Sequence, residues 1–258
     1  MKPKNNKNLN ILIASIPLVV LIMVGVYFVC SNDVGSKEVY FYKNAAVAAV
    51  DKNIDLVVEK DIVLPDTINL DVPFIAQAPF GSWRIYPFNE TCEEASVLML
   101  HYYLSGIKKV DENITKQELL ALVDFENKKY GFSDDTTTME TVRFIKDYYG
   151  YDVQISYDIS VENIKKELAK GNPVIVPTAG RLLHNPHFVL PGPLYHMLVI
   201  KGYDSDGFIT NDPGTYVAGS NYKYSYKVLE NAIRGFNKSN KSMDEKGAML
   251  ILSPHKEN

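Results

Sequence analysis

The chain has 258 residues, of which 46% are hydrophobic and 11% aromatic, and its formal net charge is -4. This length and composition support a single hydrophobic core rather than a disordered chain. The charge is weakly acidic and no stripe of lysine and arginine lies beyond the extreme N-terminus, so no nucleic-acid partner is expected. The chain has two cysteines, Cys30 and Cys92, and only Cys92 lies in the segment expected to fold. We therefore expect no disulfide within the domain.

The N-terminal segment has the pattern of a membrane anchor. Lys2, Lys4 and Lys7 precede residues 11–30, which carry no charge. This length matches the hydrocarbon thickness of a bilayer, and the lysines are expected on the cytoplasmic side. We therefore expect a cytoplasmic tail over 1–10, a single-pass helix over 11–30 in the cell membrane, and an extracytoplasmic remainder. A cleaved signal peptide is the alternative, although its apolar region would be shorter and followed by a small-residue cleavage site.

The remainder divides into a stalk with an N-terminal arm over 31–69 and a folded domain over 70–258, which we expect to be a monomer. The domain opens with residues 72–79, a short strand interrupted by prolines. A loop then leads to the stretch Asn89 to Leu104, in which the first predicted helix begins at Cys92. These boundaries predict one extracytoplasmic domain behind one membrane helix.

Three helices are predicted from capping boxes, in which a threonine is followed three residues later by a glutamate. The pairs are Thr91 with Glu94, Thr115 with Glu118, and Thr137 with Glu140. A fourth helix is predicted from about Val161 to Lys170. Apolar runs between turn sequences predict strands at 173–177, 196–200, 208–210, 222–226 and 248–252, with a helix near 228–236. Helices followed by a mostly antiparallel sheet indicate an α+β fold.

Cys92 is the candidate nucleophile. It is expected to be the first residue of its helix, where unpaired N–H groups and the helix dipole favour an anion. A thiolate is such an anion, and only the thiolate attacks a carbonyl carbon. We therefore expect a thiol more acidic than that of a free cysteine. The alternative is an inert, buried cysteine that acts as a small apolar residue.

A nucleophilic cysteine also needs a base and a group that orients the base. His196 opens one predicted strand and Asp212 ends the next. With Tyr203 opposite Phe208, Asp212 falls three residues short of the position facing His196, and a strand end that curves beyond Asp212 would close the gap. Asp204 and Asp206 are poorer partners because they lie at the far end of the hairpin.

His184 and His187 suggest a zinc site, with His196 as a further ligand. The pair precedes no convincing helix and lacks a third ligand at the usual spacing. We therefore expect neither a metal nor a cofactor.

Four motifs in this order resemble a known family. They are Val72-Pro73-Phe74 through Gln77, Cys92 to Ser96 at a helix start, Tyr195 to Asp204, and Asn211 to Gly214. Together they resemble the bacteriocin-processing (double-glycine leader) peptidase-like family of the papain-like cysteine peptidase superfamily, over about residues 70–252.

The resemblance implies a papain-like fold with Cys92 as nucleophile, His196 as general base and Asp212 as its orienting partner. It also implies that Gln77 donates to the oxyanion hole, together with the backbone N–H of Cys92. The residue after the family's cysteine is commonly glycine, whereas this chain has Glu93, whose negative charge opposes thiolate formation. Because no phosphate-binding Gly-Lys-Ser/Thr loop is present, export of a bacteriocin by this chain is not expected.

The sequence thus predicts a membrane-anchored, extracytoplasmic cysteine peptidase that hydrolyses peptide or isopeptide bonds of a peptide or protein substrate through a Cys-His-Asp triad. The alternative is a catalytically silent papain-like domain that binds peptide or cell-wall material, since fold alone does not determine function.

Overall fold

The computed structural model describes residues 64–255. The predicted anchor at 11–30 and nearly all of the predicted stalk lie outside these residues. Within the described range, no helix is both long enough and apolar enough to cross a membrane.

Five α-helices occur in this part of the chain. They are α1 (Cys92–Leu104), α2 (Glu112–Tyr130), α3 (Thr138–Tyr149), α4 (Val161–Ala169) and α5 (Tyr226–Ala232). Two short 3-10 turns, Pro79–Gly81 and Gly180–Leu183, lie in the connecting segments. The first four helices lie close to their predicted positions, and α5 begins two residues earlier and is shorter than expected.

Of the three predicted capping boxes, the one at Thr137 is confirmed. The Thr137 hydroxyl accepts from the Glu140 N–H at 3.3 Å, and the Glu140 carboxylate accepts from the Thr137 N–H at 2.9 Å. The box predicted at Thr115 is wrong, because α2 begins earlier. Asp111 caps that helix by accepting from the N–H groups of Asn113 and Ile114, which places Thr115 inside it.

The capping box predicted at Thr91 is also wrong. Thr91 precedes α1 but makes no side-chain cap. Its hydroxyl instead donates to the carbonyl of Gln77 at 2.9 Å. The start of α1 is therefore tied to the segment that carries Gln77.

The strands form one large antiparallel sheet and a separate hairpin. Their bounds are β1 (Ile68–Asn69), β2 (Asp152–Ser156), β3 (Val174–Ala179), β4 (Tyr195–Tyr203), β5 (Phe208–Asn211), β6 (Tyr222–Tyr224), β7 (Gly235–Asn237), β8 (Ser242–Glu245) and β9 (Met249–Ser253). The sheet has the order β2-β9-β3-β4-β5-β6, with β1 also paired to β4, while β7 and β8 pair with each other. The prediction of helices combined with an antiparallel sheet is confirmed. Strands β1, β2, β7 and β8 were not predicted, and β1 lies in the segment assigned to the arm.

Strand β4 is the centre of the domain, and every residue in it is buried. Its side chains alternate between two hydrophobic clusters: Met197 and Val199 pack in the cluster that contains α1, and Leu198 and Ile200 pack in the cluster that contains α4 and α5. Successive side chains of a strand point to opposite faces. The sheet is therefore covered by helices on both faces, which gives His196, near the start of β4, a rigid support.

The β4–β5 hairpin has the predicted turn, because Tyr203 lies opposite Phe208. A bulge between Ile200 and Gly202 then shifts the register, so that Val199 lies opposite Asn211. One extra residue in β4 brings the end of β5 one position closer to the start of β4. The bulge thus removes part of the gap that the sequence left between His196 and Asp212.

Candidate active site

Cys92, His196 and Gln77, three of the residues singled out in the sequence, line one cleft of about 590 Å³. Trp83 and residues from 187–194 form much of its remaining wall. Asp212, the fourth predicted residue, is fully buried beside His196. The structure therefore brings all four residues to one place, although they come from four separate segments.

His196 and Asp212 are in direct contact. His196 Nε2 lies 2.7 Å from Asp212 Oδ1, and both side chains are buried. Directly after Asp212 the chain turns, since its carbonyl accepts from the Thr215 N–H at 3.2 Å. Together with the bulge in β4, this turn places Asp212 beside His196. Asp204, the weaker candidate, pairs with Lys223 at 2.6 Å instead.

The Asp212 carboxylate is held by several donors besides His196. Its Oδ1 accepts from the Gly214 N–H at 2.9 Å, and its Oδ2 accepts from the Tyr224 hydroxyl at 2.6 Å and the Asn185 amide at 3.1 Å. Burial alone would raise the pKa of Asp212, but the charge of His196 and these hydrogen bonds outweigh it and lower that pKa. Asp212 is therefore ionised and fixed in orientation.

The His196 ring is fixed by packing as well. Phe188 meets it edge-on, with ring centroids 5.3 Å apart and planes at 77°. On Gly214, a Cβ would lie 2.8 Å from His196 Cε1, closer than such atoms can approach. The His196 ring can occupy this position because residue 214 has no side chain.

Gln77 is anchored between the two halves of the site. Its backbone N–H donates to the Pro213 carbonyl at 3.1 Å, its carbonyl accepts from Thr91, and its side-chain Nε2 donates to the Phe88 carbonyl at 3.3 Å. An amide nitrogen carries two hydrogens, so one donor remains for a ligand in the cleft. Gln77 thus links the turn after Asp212 to the start of α1.

The thiol of Cys92 differs from the sequence-based expectation. Cys92 Sγ donates to Glu93 Oε2 at 3.0 Å. Burial, followed by the charge of Glu93, raises the pKa of Cys92 well above its usual range, and a contact with the Met197 N–H offsets only part of this rise. The prediction of an unusually acidic thiol is therefore wrong for this geometry. The favourable helix terminus is outweighed by desolvation and by a carboxylate beside the sulfur.

Two further carboxyl groups are buried behind Cys92. Glu94 on α1 and Glu126 on α2 are almost fully inaccessible, and within the described residues neither Glu94 oxygen nor Glu126 Oε1 has a hydrogen-bond partner. Burial raises the pKa of Glu126 to about 9, and burial with the charge of Glu126 raises that of Glu94 well above its usual range. Burial therefore favours the neutral acid form of both groups.

This burial predicts a pH-dependent stability. Because the pKa of Glu126 is higher in the folded state than in the unfolded chain, its stabilising contribution is complete below the unfolded value and is lost as pH rises through about 9. We expect Tm to fall between pH 5 and 9 and the Glu126→Gln variant, which cannot ionise, to show a shallower decline. One such proton changes the free energy of unfolding by at most about 1.4 kcal/mol per pH unit.

Thermal denaturation at five or six pH values, followed by circular dichroism, would measure this slope. The matched control is Glu230→Gln, which changes an exposed glutamate on α5 and should reproduce the wild-type slope. Equal slopes for all three proteins would show that Glu126 does not titrate on unfolding.

The histidines considered for zinc do not form a metal site in the part of the chain that the structure covers. No group of three or more His, Cys, Asp or Glu side chains there is arranged to hold a metal ion. His187 lines the cleft and meets the Tyr222 ring edge-on at 6.0 Å.

Sequence reasoning missed three residues that contact the site: Asn185, Tyr224 and Thr136. Asn185 and Tyr224 hold Asp212, and the Thr136 N–H donates to Glu93 Oε1 at 2.8 Å. Each reaches the site from a different loop or strand, so no local motif marks it. The one available signal was the polar segment 184–187, which we considered only for zinc.

A cysteine at the start of a buried helix, together with an aspartate-bound histidine in the same cleft, is the arrangement of a cysteine-peptidase-type domain. The family model of the Peptidase_C39-like family matches residues 69–242, and the chain belongs to this family. The family resemblance found in the sequence is therefore confirmed.

Several solved structures are similar to this chain, including the following two. One is described as a C39-like peptidase from Bacillus anthracis, with 18% identity over 74% of this chain and 100% of that chain and a TM-score of 0.47. The other is the peptidase domain of Streptococcus ComA, a bifunctional ABC transporter involved in a quorum-sensing pathway, with 14% identity over 65% of this chain and 93% of that chain and a TM-score of 0.35. No curated protein sequence matches the chain.

Proposed function

We propose that the protein is a cysteine peptidase that hydrolyses peptide or isopeptide bonds in a peptide or protein substrate. The observation that carries this proposal is the 2.7 Å contact between buried Asp212 and His196, which lines the same cleft as Cys92. A base already oriented by a buried carboxylate, in the same cleft as a thiol, is the combination that acyl transfer needs. Membership in the Peptidase_C39-like family supports the same class of reaction.

In the proposed reaction, Nδ1 of His196 removes the thiol proton, because Nε2 already faces Asp212. The Cys92 sulfur then forms a bond to the substrate carbonyl carbon, and the developing oxyanion is held by the Gln77 amide and the Cys92 N–H. The imidazolium, stabilised by Asp212, gives its proton to the leaving amine as the C–N bond breaks. A water molecule, deprotonated by His196, finally cleaves the thioester and restores the thiol.

We further propose that the domain acts outside the cell, attached to the membrane by residues 11–30, and works as a monomer. The lysines that precede the apolar stretch support this orientation. A peptidase attached in this way would meet its substrates at or near the outer face of the cell membrane.

One observation favours the alternative, a domain that binds peptide or cell-wall material without turnover. The Cys92 thiol is buried and donates to Glu93, and both effects raise its pKa. A thiol that stays protonated does not attack a carbonyl. The same cleft would then serve only to hold an extended chain.

A cleavage assay separates the two functions. The full-length protein, with Cys30→Ser so that Cys92 is its one thiol, is incubated with a broad peptide library, and the products are analysed by mass spectrometry. We expect defined cleavage products and labelling of Cys92 by a peptidyl chloromethyl ketone. No cleavage by this protein, combined with equal peptide binding by it and by its Cys92→Ala variant, would support the binding domain instead.

A further inference from the structure

Glu93, the residue after the proposed nucleophile, is fixed against its sulfur. Glu93 Oε2 accepts from Cys92 Sγ at 3.0 Å, and Oε1 accepts from the N–H and the hydroxyl of Thr136 at 2.8 and 3.3 Å. The Thr136 hydroxyl in turn lies 2.7 Å from that of Thr141 on α3. Glu93 is only 1% exposed. The segment before α3 therefore holds this carboxyl group in one position, beside the thiol and away from water.

The titratable groups that interact with Glu93 include five acids: Cys92 and Glu94 on α1, Glu126 on α2, Asp135 before α3 and Tyr195 on β4. His196 on β4 lines the same cleft as Cys92. No ion pair found in residues 64–255 involves Glu93. Burial, with a smaller contribution from Asp135, raises the pKa of Glu93 to about 7. Its charge therefore changes in the neutral pH range.

The two forms of Glu93 have opposite effects on the sulfur. An ionised carboxylate accepts the thiol hydrogen, and loss of that hydrogen would leave two negative charges 3.0 Å apart in a buried site. A neutral carboxylic acid can donate its own hydrogen to the thiolate, and such charge-assisted hydrogen bonds are among the stronger ones. The thiolate is thus stabilised only while Glu93 carries a proton.

We propose that Glu93 is a positioning residue that sets the pH range in which Cys92 is nucleophilic. The inference rests on the proposed function in one respect, that Cys92 is the nucleophile. With Glu93 neutral, the thiol proton passes to His196, the sulfur keeps the electron pair, and Glu93 retains its proton and donates a hydrogen bond to the thiolate. With Glu93 ionised, the thiol keeps its proton and stays turned toward the carboxylate.

The test is the rate at which iodoacetamide alkylates Cys92 between pH 5 and 8.5. The full-length chain with Cys30→Ser serves as the parent, and peptide mapping confirms the alkylated site. An ordinary thiol below its pKa reacts about tenfold faster for each unit of pH increase. We expect the parent to follow this rise only up to about pH 7 and then to level off, because the pKa of Cys92 rises as Glu93 becomes ionised.

Glu93→Gln is the decisive variant, because glutamine keeps the shape and an N–H donor but cannot ionise. At pH 8 its alkylation rate should exceed that of the parent by at least about tenfold, the change in thiolate fraction that one pKa unit produces. At pH 5.5, where Glu93 is protonated in the parent, the two rates should agree within about twofold. The matched control is Glu94→Gln, the next residue on α1, which should follow the parent throughout.

Two results would overturn the inference: a parent rate that rises with unchanged slope through about pH 7, or a Glu93→Gln profile that follows the parent at every pH. If Glu93→Gln does not fold, the parent profile alone decides, because it requires no change at Glu93. Iodoacetamide reports the thiolate without peptide turnover. A rate that levels off above about pH 7 in a protein that cleaves no peptide would therefore support the role of Glu93 and contradict the proposed peptidase activity.

Discussion

Replacement of Cys92 by alanine is expected to reduce peptide hydrolysis to background, a loss that reaches about a millionfold when a catalytic nucleophile is removed. The sulfur is the only atom of the site that can form the acyl-enzyme, whereas alanine is well tolerated in the first turn of α1. Initial rates with a fluorogenic peptide would measure the loss, and a melting curve would show that the variant is folded. Hydrolysis above about a tenth of the wild-type rate would place the nucleophile elsewhere.

His196→Ala should be nearly as inactive, because one imidazole activates the thiol and protonates the leaving amine. The double variant, Cys92→Ala with His196→Ala, should lose little more than Cys92→Ala alone, since residues that act as a unit are not additive. A much larger loss in the double variant would mean that the two residues act independently.

Asp212→Asn should be milder, because the asparagine oxygen can still accept from His196. Its amide group, however, would face the Tyr224 hydroxyl, which now donates to Asp212 Oδ2 at 2.6 Å. We expect this mismatch to reduce stability by about 1–3 kcal/mol, the usual cost of an unsatisfied buried group. The control is Asp204→Asn, in the same hairpin, which should retain full activity. Inactivity of Asp204→Asn, with normal activity of Asp212→Asn, would assign the orienting role to Asp204.

The pattern of apolar residues in the sequence located most of the helices and strands. For example, β4 is buried on both of its faces, and a strand of this kind appears in the sequence as a continuous apolar run, here residues 197–200. Capping patterns were less reliable. Thr115 and Glu118 have the spacing of a capping box, but Asp111 lies upstream and caps α2 first. A pattern of two residues is too short to exclude a competing cap nearby.

The four site residues could be chosen from the sequence, but their geometry could not. The contact between His196 and Asp212 depends on the bulge beside Gly202, where a Cβ would lie 2.2 Å from the Ile68 carbonyl oxygen of β1. The bulge thus lies where β4 pairs with β1, a strand that is more than a hundred residues away in the sequence. Strand β1 was not predicted. A local pattern contains no information on such a contact.

The prediction of an acidic Cys92 thiol was wrong for a related reason. Its position at a helix start was read correctly, and a helix start does favour a thiolate. The pKa, however, is decided by burial and by the orientation of Glu93, which Thr136 fixes from another segment. Adjacent helical residues do not normally face each other, so the sequence predicted a negative charge next to Cys92 but not the hydrogen bond between the two side chains.

Gln77→Ala is expected to lower kcat by about a hundredfold to a thousandfold with little change in KM, the effect of removing one oxyanion-hole donor. The Gln77 amide lines the cleft with Cys92, and the Phe88 carbonyl holds it in place at 3.3 Å. A donor that is already oriented stabilises the charge that develops on the substrate oxygen, which is absent in the ground state. Steady-state kinetics with one peptide substrate would separate kcat from KM.

The alanine variant also removes the contact with Phe88, and a matched change must separate this structural effect from catalysis. Thr91→Val serves this purpose, because it deletes the hydroxyl that donates to the Gln77 carbonyl at 2.9 Å but leaves the Gln77 amide intact. We expect it to reduce stability by about 1 kcal/mol and kcat by less than about tenfold. If both variants lower kcat equally, the rigidity of the segment matters rather than the donor. If Gln77→Ala instead raises KM with kcat unchanged, Gln77 binds substrate and transition state alike, and it belongs to the cleft wall rather than to the oxyanion hole.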